Sequence, residues 1–373
     1  MILSGCMGIR SRDFSNKLMK IIRRKTRVVR IKDIRIGGGN PVAVQSMTKV
    51  KTSDHEKVIR QIKALQAAGC EMVRVAVEDR SDAAALRIIK KNINIPLVAD
   101  IHFDWRLALL AVEAGADKIR LNPGNIHKKQ QIADVVSALK AARIPLRIGV
   151  NSGSVRGLRH GKKSIADDLT KSALDYIKKI EKLKFHDIVV SLKAADVLDT
   201  LEAYRKISRL CDYPLHLGLT ATGSPSAGAV KSSVLLGILL SEGIGDTIRV
   251  SLTADPLQEI KVARSILEAL RLRCFGPEVI SCPTCGRCAV DLAGVVSQLE
   301  DRIANSARNL SHKAVKLAVM GCVVNGPGEA AQADFGVAFG KKDGLFFRKG
   351  KPVKKVAFAD CVNLLLKEMG VKG

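Results

Sequence analysis

The sequence predicts a (β/α)8 TIM barrel followed by a small α/β domain, and three observations carry the prediction. Short apolar strands alternate with helical stretches between residues 42 and 252, an order that implies a parallel sheet. Eight such units within about 230 residues fit a closed barrel. Apolar residues make up 47% of the chain but aromatic ones only 3%, so Val, Ile, Leu and Ala must fill the core, as in parallel α/β proteins. After residue 274 a Cys-x2-Cys clip and a Gly/Pro-rich turn interrupt a shorter set of elements.

In chain order, Gly37, Gly38 and Gly39 precede the first strand with no helix after them, which reads as a turn and not a phosphate loop. The barrel strands are expected at 42–47, 71–77, 96–101, 118–123, 145–151, 187–193, 214–220 and 246–252. Helices are expected at 55–68, 104–115, 129–142, 171–184, 195–210 and 228–242. Gly69, Gly115 and Gly243 each stand where an apolar-periodic run ends, as C-terminal caps do. A helix over 255–271 leads to Cys274-Phe-Gly-Pro, which marks the boundary. Beyond it come a helix at 295–304, a strand at 316–321, a hairpin from 335–340 and 345–350, and a closing helix at 357–369. The organisation is therefore a basic extension at 1–26, a barrel at 27–274 and a cysteine-bearing domain at 275–373.

The formal net charge is +26. Residues 1–30 hold nine Lys or Arg against Asp13 alone, yet most of the excess lies in the remainder. Such charge can serve nucleic acid, an acidic protein partner or a polyanionic substrate. Proteins that grip single strands add aromatic stacking platforms; three Tyr and one Trp supply few, so no nucleic acid is expected. No apolar run approaches ~18 residues, so no membrane span is expected. Leu3-Ser4-Gly5-Cys6 imitates a lipid-attachment box, but no apolar signal region precedes it; the basic start is expected to be a disordered extension. Nine cysteines, an odd number and largely scattered, argue against a secreted disulfide framework and for a reducing, cytoplasmic setting.

The strand ends are more polar than a scaffold requires. Arg74, Asp100 with His102, Arg120 with Asn122, Arg147 with Asn151, Lys193, His216 and Arg249 with Ser251 follow one another around the expected barrel. Barrel active sites form at the C-terminal strand ends. Arginine meets phosphate with two parallel hydrogen bonds, and lysine adds a point charge. Any one of these cations could pair with a carboxylate instead. Five basic residues with few acids opposite favour a bound polyanion.

Cys282 and Cys285 form the clip in SCPTCGRC, and Cys322 and Glu329 lie in GCVVNGPGE. Zinc sites usually close with four Cys or His ligands, and neither a second clip nor a matching His is present. Thiolate sets suit iron–sulfur clusters, normally held by four cysteines, so the small domain reads as an iron–sulfur domain. Three sulfurs and a carboxylate would leave one iron open to a substrate. Cys288 leaves an alternative: Cys282, Cys285 and Cys288 imitate the run of bacterial ferredoxins, a four-thiolate electron-transfer site without Glu329. Cys6, Cys70, Cys211 and Cys361 have no partner spacing and are expected as small buried apolar side chains.

Together these residues resemble the 4-hydroxy-3-methylbut-2-enyl diphosphate synthase family in its compact two-domain bacterial form. The likeness runs from residue 31 to the C-terminus. It rests on QSMT (45–48), GCEMVRVAV (69–77), ADIHFD (99–104), IRLNPGNI (119–126), RIGVNSGS (147–154), EGIGDTIRVSL (242–252), SCPTCGR (281–287) and GCVVNGPGEA (321–330). The resemblance implies one [4Fe–4S] cluster per chain on Cys282, Cys285, Cys322 and Glu329. It implies reductive ring opening and dehydration of 2-C-methyl-D-erythritol 2,4-cyclodiphosphate in the non-mevalonate isoprenoid pathway. The diphosphate would meet Arg74, Arg120, Asn122, Arg147, Asn151, Lys193, Arg249 and Ser251, with Glu329, Asp100 and His102 as candidate catalytic groups. An acidic flavodoxin or ferredoxin would deliver electrons, and a head-to-tail homodimer would lay the cluster domain of one subunit over the barrel of the other. Two departures stand out. The family usually shows Thr-Glu-Ala-Gly where this chain reads Thr220-Ala221-Thr222-Gly223, so a proposed active-site acid is missing. Cys288 stands where relatives usually have no thiol.

Overall fold

The computed structural model describes residues 21–155, 164–220, 223–305 and 315–371. The chain divides into two compact units after Ala263, a division inside the helix expected at 255–271 and upstream of Cys274.

In the first unit, β1 (Val29–Ile31) and β2 (Ile34–Ile36) form a small antiparallel hairpin. The barrel strands follow: β3 (Ala43–Met47), β4 (Met72–Val77), β5 (Leu97–Ile101), β6 (Lys118–Leu121), β7 (Leu146–Asn151), β8 (Ile188–Lys193), β9 (His216–Leu217) and β10 (Thr247–Ile248). They form one parallel sheet in the order β8-β7-β6-β5-β4-β3-β10-β9. A bridge between Val190 and Leu215 joins its two ends, and the Val190 N–H donates to the Pro214 carbonyl at 2.9 Å. The last two strands are much shorter than expected, because only their first residues keep ladder pairing.

Each strand is followed by a helix: α1 (His55–Ala67), α2 (Arg80–Lys91), α3 (Arg106–Glu113), α4 (Lys129–Ala142), α5 (Ile165–Glu181), α6 (Val197–Leu210), α7 (Pro225–Ser241) and α8 (Pro256–Ala269). Side chains of Asp54, Asp79, Asp196 and Ser224 accept N–H bonds at the starts of α1, α2, α6 and α7. Gly69, Gly115 and Gly243 take positive φ just past α1, α3 and α7, as the caps predict.

The hairpin was not anticipated. Val29, Ile31 and Ile36 pack on Ala43, Met72 and Val189 at the starts of β3, β4 and β8, plugging the N-terminal end of the barrel. Among the described residues, the cavity lies at the other end. The basic segment before the hairpin is also tied down: Arg23 pairs with Asp246 at 2.7 Å, and Arg24 donates to the Tyr213 carbonyl at 2.6 Å. Of the extension expected at 1–26, residues 21–26 include these tethered arginines, and residues 1–20 lie outside the described residues.

The second unit is one five-stranded sheet, β11 (Glu278–Ser281), β12 (Lys316–Met320), β13 (Phe335–Phe339), β14 (Gly344–Arg348) and β15 (Lys351–Val356), in that order. The first three run parallel and the last three antiparallel. Alternate residues face opposite sides of the sheet. Leu317 and Val319 join Leu299, Phe339, Phe346 and Leu365 under α9 (Leu292–Asn305) and α11 (Cys361–Glu368). Ala318 and Met320 meet Ala330 and Ala338, small side chains that let α10 (Gly326–Ala330) lie close on the other face. The hairpin β13–β14 matches expectation; β15, with its lysines and Pro352, carries the marks of a guarded sheet edge.

Cys70 and Cys361 are buried as expected, whereas Cys211 is only partly so, and Cys6 lies outside the described residues. No helix among the described residues is long and apolar enough to cross a membrane.

Candidate active site and cluster-binding segment

The open end of the barrel holds a cavity of 260 Å³ lined by Arg74, Asp100, His102, Arg120, Arg147, Asn151, Lys193 and Arg249, together with Met47, Ser191, Leu219 and Thr220. Strand register makes this convergence. Asp100 stands beside Arg120, Arg120 beside Arg147, and Asn151 beside Lys193 on adjacent parallel strands. Asn122 and Ser251 are buried but do not line the cavity. The Asn122 amide donates to Ser154 Oγ at 2.9 Å and accepts the Gly124 N–H at 3.1 Å, and the Ser251 hydroxyl donates to the Leu219 carbonyl at 3.4 Å. His216 lies fully buried, its Nδ1 2.8 Å from Thr247 Oγ1. Ala221 and Thr222 fall outside the described residues.

Two buried carboxylates, Asp100 and Glu259, face five cations of the cavity wall. Asp100 accepts from Arg120 Nη1 at 2.9 Å and lies 3.5 Å from Arg74 Nε and 3.3 Å from His102 Nε2. Burial opposes its ionisation, but Arg120 and Arg74 outweigh burial and hold the carboxyl well below its usual range. Glu259 on α8, 1% exposed, pairs with Lys49 at 2.9 Å and stands 4.0 Å from Arg249 Nε, while accepting the Leu252 N–H at 3.0 Å. The other tethers are neutral. Arg147 donates to Gln45 Oε1 at 2.8 Å, Arg120 to the Gly149 carbonyl at 2.8 Å, and Arg74 to Met47 Sδ through Nε and Nη2. A methyl group at Gly149 would collide with the Arg120 guanidinium, so the arginine crosses the strand only because no side chain is there.

The positive charge is left partly uncompensated. Lys193 Nζ and the Nε atoms of Arg120 and Arg147 are buried without a hydrogen-bond partner among the described residues. Burial, reinforced by the surrounding arginines, pushes Lys193 well below the usual lysine value, and burial with Arg120 pulls Arg147 down to about 9. Such donors gain most from a multiply charged anion, which supplies acceptors and countercharge at once.

Sequence reasoning missed Gln45, Met47 and Glu259. Gln45 and Met47 are spaced by two on β3, the period that puts both on one face, and that signal was available. Glu259 had none, because its partners come from other elements.

In the second unit, the parallel pairing of β11 and β12 puts Cys282 and Cys322 just past the same, C-terminal end of neighbouring strands, and Glu329 lies on α10. The Gly321 N–H donates to Cys282 Sγ at 3.2 Å. Backbone N–H groups of Asn325 and Val324 lower the Cys322 thiol, and the Arg287 N–H with its guanidinium lowers Cys285. Cys288 instead donates to the Val290 carbonyl at 3.2 Å. Glu329 is exposed, with no side-chain partner among the described residues. No three Cys, His, Asp or Glu among those residues close around a single metal ion. Thiols whose anions receive backbone N–H bonds are the right donors for an iron–sulfur cluster, whose corners spread its ligands apart. The segment fits such a group.

Residues 26–264 match the GcpE TIM-barrel domain and residues 278–370 the GcpE protein C-terminal domain. The chain is 51% identical over 348 residues to the 4-hydroxy-3-methylbut-2-en-1-yl diphosphate synthase (flavodoxin) of Clostridium perfringens, covering 92% of this chain and 98% of that protein. For the protein of the same name from Anoxybacillus flavithermus the identity is 52% over 351 residues, with 94% and 95% covered. For that from Fusobacterium nucleatum it is 49% over 346 residues, with 92% and 96% covered. Among solved structures, a dihydropteroate synthase from Stenotrophomonas maltophilia aligns with a TM-score of 0.50 and 13% identity, over 62% of this chain and 94% of that one, a likeness of fold alone. With both domains matched in order and relatives covered nearly end to end, the chain belongs to the GcpE family.

Proposed function

We propose that this chain is an iron–sulfur oxidoreductase that converts 2-C-methyl-D-erythritol 2,4-cyclodiphosphate to 4-hydroxy-3-methylbut-2-enyl diphosphate by two-electron ring opening and loss of water. The observation that carries the placement of the substrate is the set of buried, unpartnered donors on Lys193, Arg120 and Arg147 around one cavity. These seat the diphosphate, and as the ring opens they stabilise the departing phosphate oxygen, where negative charge develops. Arg74, Arg249 and Asn151 complete the walls.

Asp100 is an anion throughout the neutral range and so a poor proton donor. Its task is to hold Arg120 and Arg74 in place. His102, bonded to Asp100 and half-buried at the rim, is the cavity group best placed to exchange a proton with solvent. Cys282, Cys285, Cys322 and Glu329 would hold one [4Fe–4S] cluster per chain. When bound, that cluster supplies electrons one at a time.

The relatives' names specify flavodoxin, and the +26 charge would steer an acidic flavodoxin, or a ferredoxin in its place, towards this surface. A head-to-tail homodimer is the assembly that fits. Phe103 at the barrel rim is 81% exposed, as are Val323 (59%) and Val324 (63%) beside Cys322, apolar groups that a second subunit would cover. The eight free cysteines among the described residues suit a reducing cytoplasm.

The test is turnover of the cyclic diphosphate by anaerobically purified protein with a low-potential reductant. The diphosphate product, from protein carrying about four irons per chain, is the expected result. An iron-loaded preparation that binds the cyclic diphosphate but never opens it would sink the reading.

A further inference from the structure

Cys288 is a thiol beside the proposed ligands that the chemistry above leaves unused. Three features put it next to Cys282. The Gly321 N–H donates to Cys282 Sγ at 3.2 Å, and the Gly321 carbonyl accepts the Ala289 N–H at 3.0 Å. The open face of the same glycine is filled by sulfur. A methyl group at Gly321 would collide with Cys288 Sγ, and it would stand 3.3 Å from Cys288 Cβ and 3.5 Å from Cys282 Sγ. Both cysteine segments are therefore pinned to one residue, and both thiols are partly buried against the same apolar core. Cys285, three residues from each, is exposed instead. A disulfide requires close Cβ atoms and a specific torsion, and the shared contact with Gly321 puts the two sulfurs on either side of one small residue.

The geometry points to Cys288 as the resolving thiol of Cys282. In chain that has lost its cluster, a peroxide joins the two as a disulfide, and a dithiol reductant returns both. One thiolate attacks the peroxide, the O–O bond breaks, and a sulfenic acid forms as water leaves; the second thiol then displaces the hydroxyl as another water. In sum two S–H bonds and one O–O bond give one S–S bond and two waters, the sulfurs losing two electrons that the peroxide gains. Without a resolving thiol, a sulfenic acid at Cys282 goes on to sulfinic and sulfonic acids, which do not return. The protective value rests on Cys282 being a cluster ligand, as proposed above; the disulfide itself does not.

The experiment uses the full-length protein, isolated anaerobically and treated with hydrogen peroxide until its visible absorption has bleached. Free thiols are alkylated and the unreduced protein is cut with trypsin, which cleaves after Arg287 and so puts Cys282 and Cys288 on different peptides. The expected product is a linked peptide pair whose fragment spectra place the bond between Cys282 and Cys288. Dithiothreitol then frees both thiols, and added iron and sulfide restore the absorption to its untreated level. In Cys288→Ser, the same treatment leaves Cys282 as sulfinic or sulfonic acid, and most of the absorption is lost for good. A Cys282–Cys285 bond, or Cys288 recovered fully alkylated from the peroxide-treated wild-type chain, overturns the inference, and neither outcome depends on how the variant folds. A colourless, iron-free preparation that still forms the Cys282–Cys288 bond would sink the cluster assignment and leave the dithiol pair standing.

Discussion

Arg120 and Asp100 face each other across adjacent strands, their charged atoms 2.9 Å apart and both side chains almost fully buried. This one carboxylate also neighbours Arg74 and His102. It therefore anchors the cationic wall of the cavity, and among the described residues Lys193 and Arg147 have no hydrogen-bonded countercharge of their own.

Asp100→Asn should destabilise the fold by about 3–5 kcal/mol, the usual cost of stranding a buried charge. Denaturant unfolding checks this. The native carboxyl is held below its unfolded value of about 3.9. Its contribution is thus present above that value and lost as pH falls through the native one. Across neutral pH, the kcat profile of the wild type should show no ionisation that Asp100→Asn removes.

Lys193→Met should separate stability from binding. Because the native pKa of Lys193 is depressed, the unfolded chain binds the extra proton between the native and unfolded values, and stability rises with pH through that window. Removing the amine should leave thermal stability equal or higher at neutral pH. Affinity for the cyclic diphosphate should fall by about 2–5 kcal/mol. A variant that melts early while keeping its KM would refute this role.

Binding of a polyphosphate should draw in protons. An anion beside Lys193 raises its depressed pKa, so uptake occurs between the free and bound values, and affinity weakens as pH rises through that interval. Calorimetry with inorganic pyrophosphate in two buffers of different ionisation enthalpy measures the uptake. Pyrophosphate at a hundred times its Kd should also stabilise the protein by about 2.7 kcal/mol.

Gly149→Ala should displace the Arg120 guanidinium, since the added methyl group has no room. Overpacking of this kind costs about 1–3 kcal/mol. A raised KM for the cyclic diphosphate with an unchanged affinity for the electron donor is the expected kinetic pattern.

Donor affinity should fall as ionic strength rises, because attraction between a +26 chain and an acidic redox protein is screened over about 10 Å at 0.1 M salt. A flat apparent KM for flavodoxin across that range would remove charge steering from the account.

Local pattern alone made the alternation of strand and helix legible, because hydrophobic period and glycine caps act within a few residues, as Gly69, Gly115 and Gly243 show. The same holds for the Cys282/Cys285 clip and for basic residues such as Arg74 and Arg147 within apolar strands. Which of those cations would be paired was not legible. Arg147 meets Gln45 across 102 positions of sequence and Arg23 meets Asp246 across 223, while Arg249 owes its neighbour Glu259 to the way α8 folds back. The hairpin that plugs the barrel floor and the glycine that gathers Cys282 and Cys288 belong to the same class. Side-chain chemistry is written residue by residue, but charge balance and thiol pairing depend on distances that exist only once remote segments have packed.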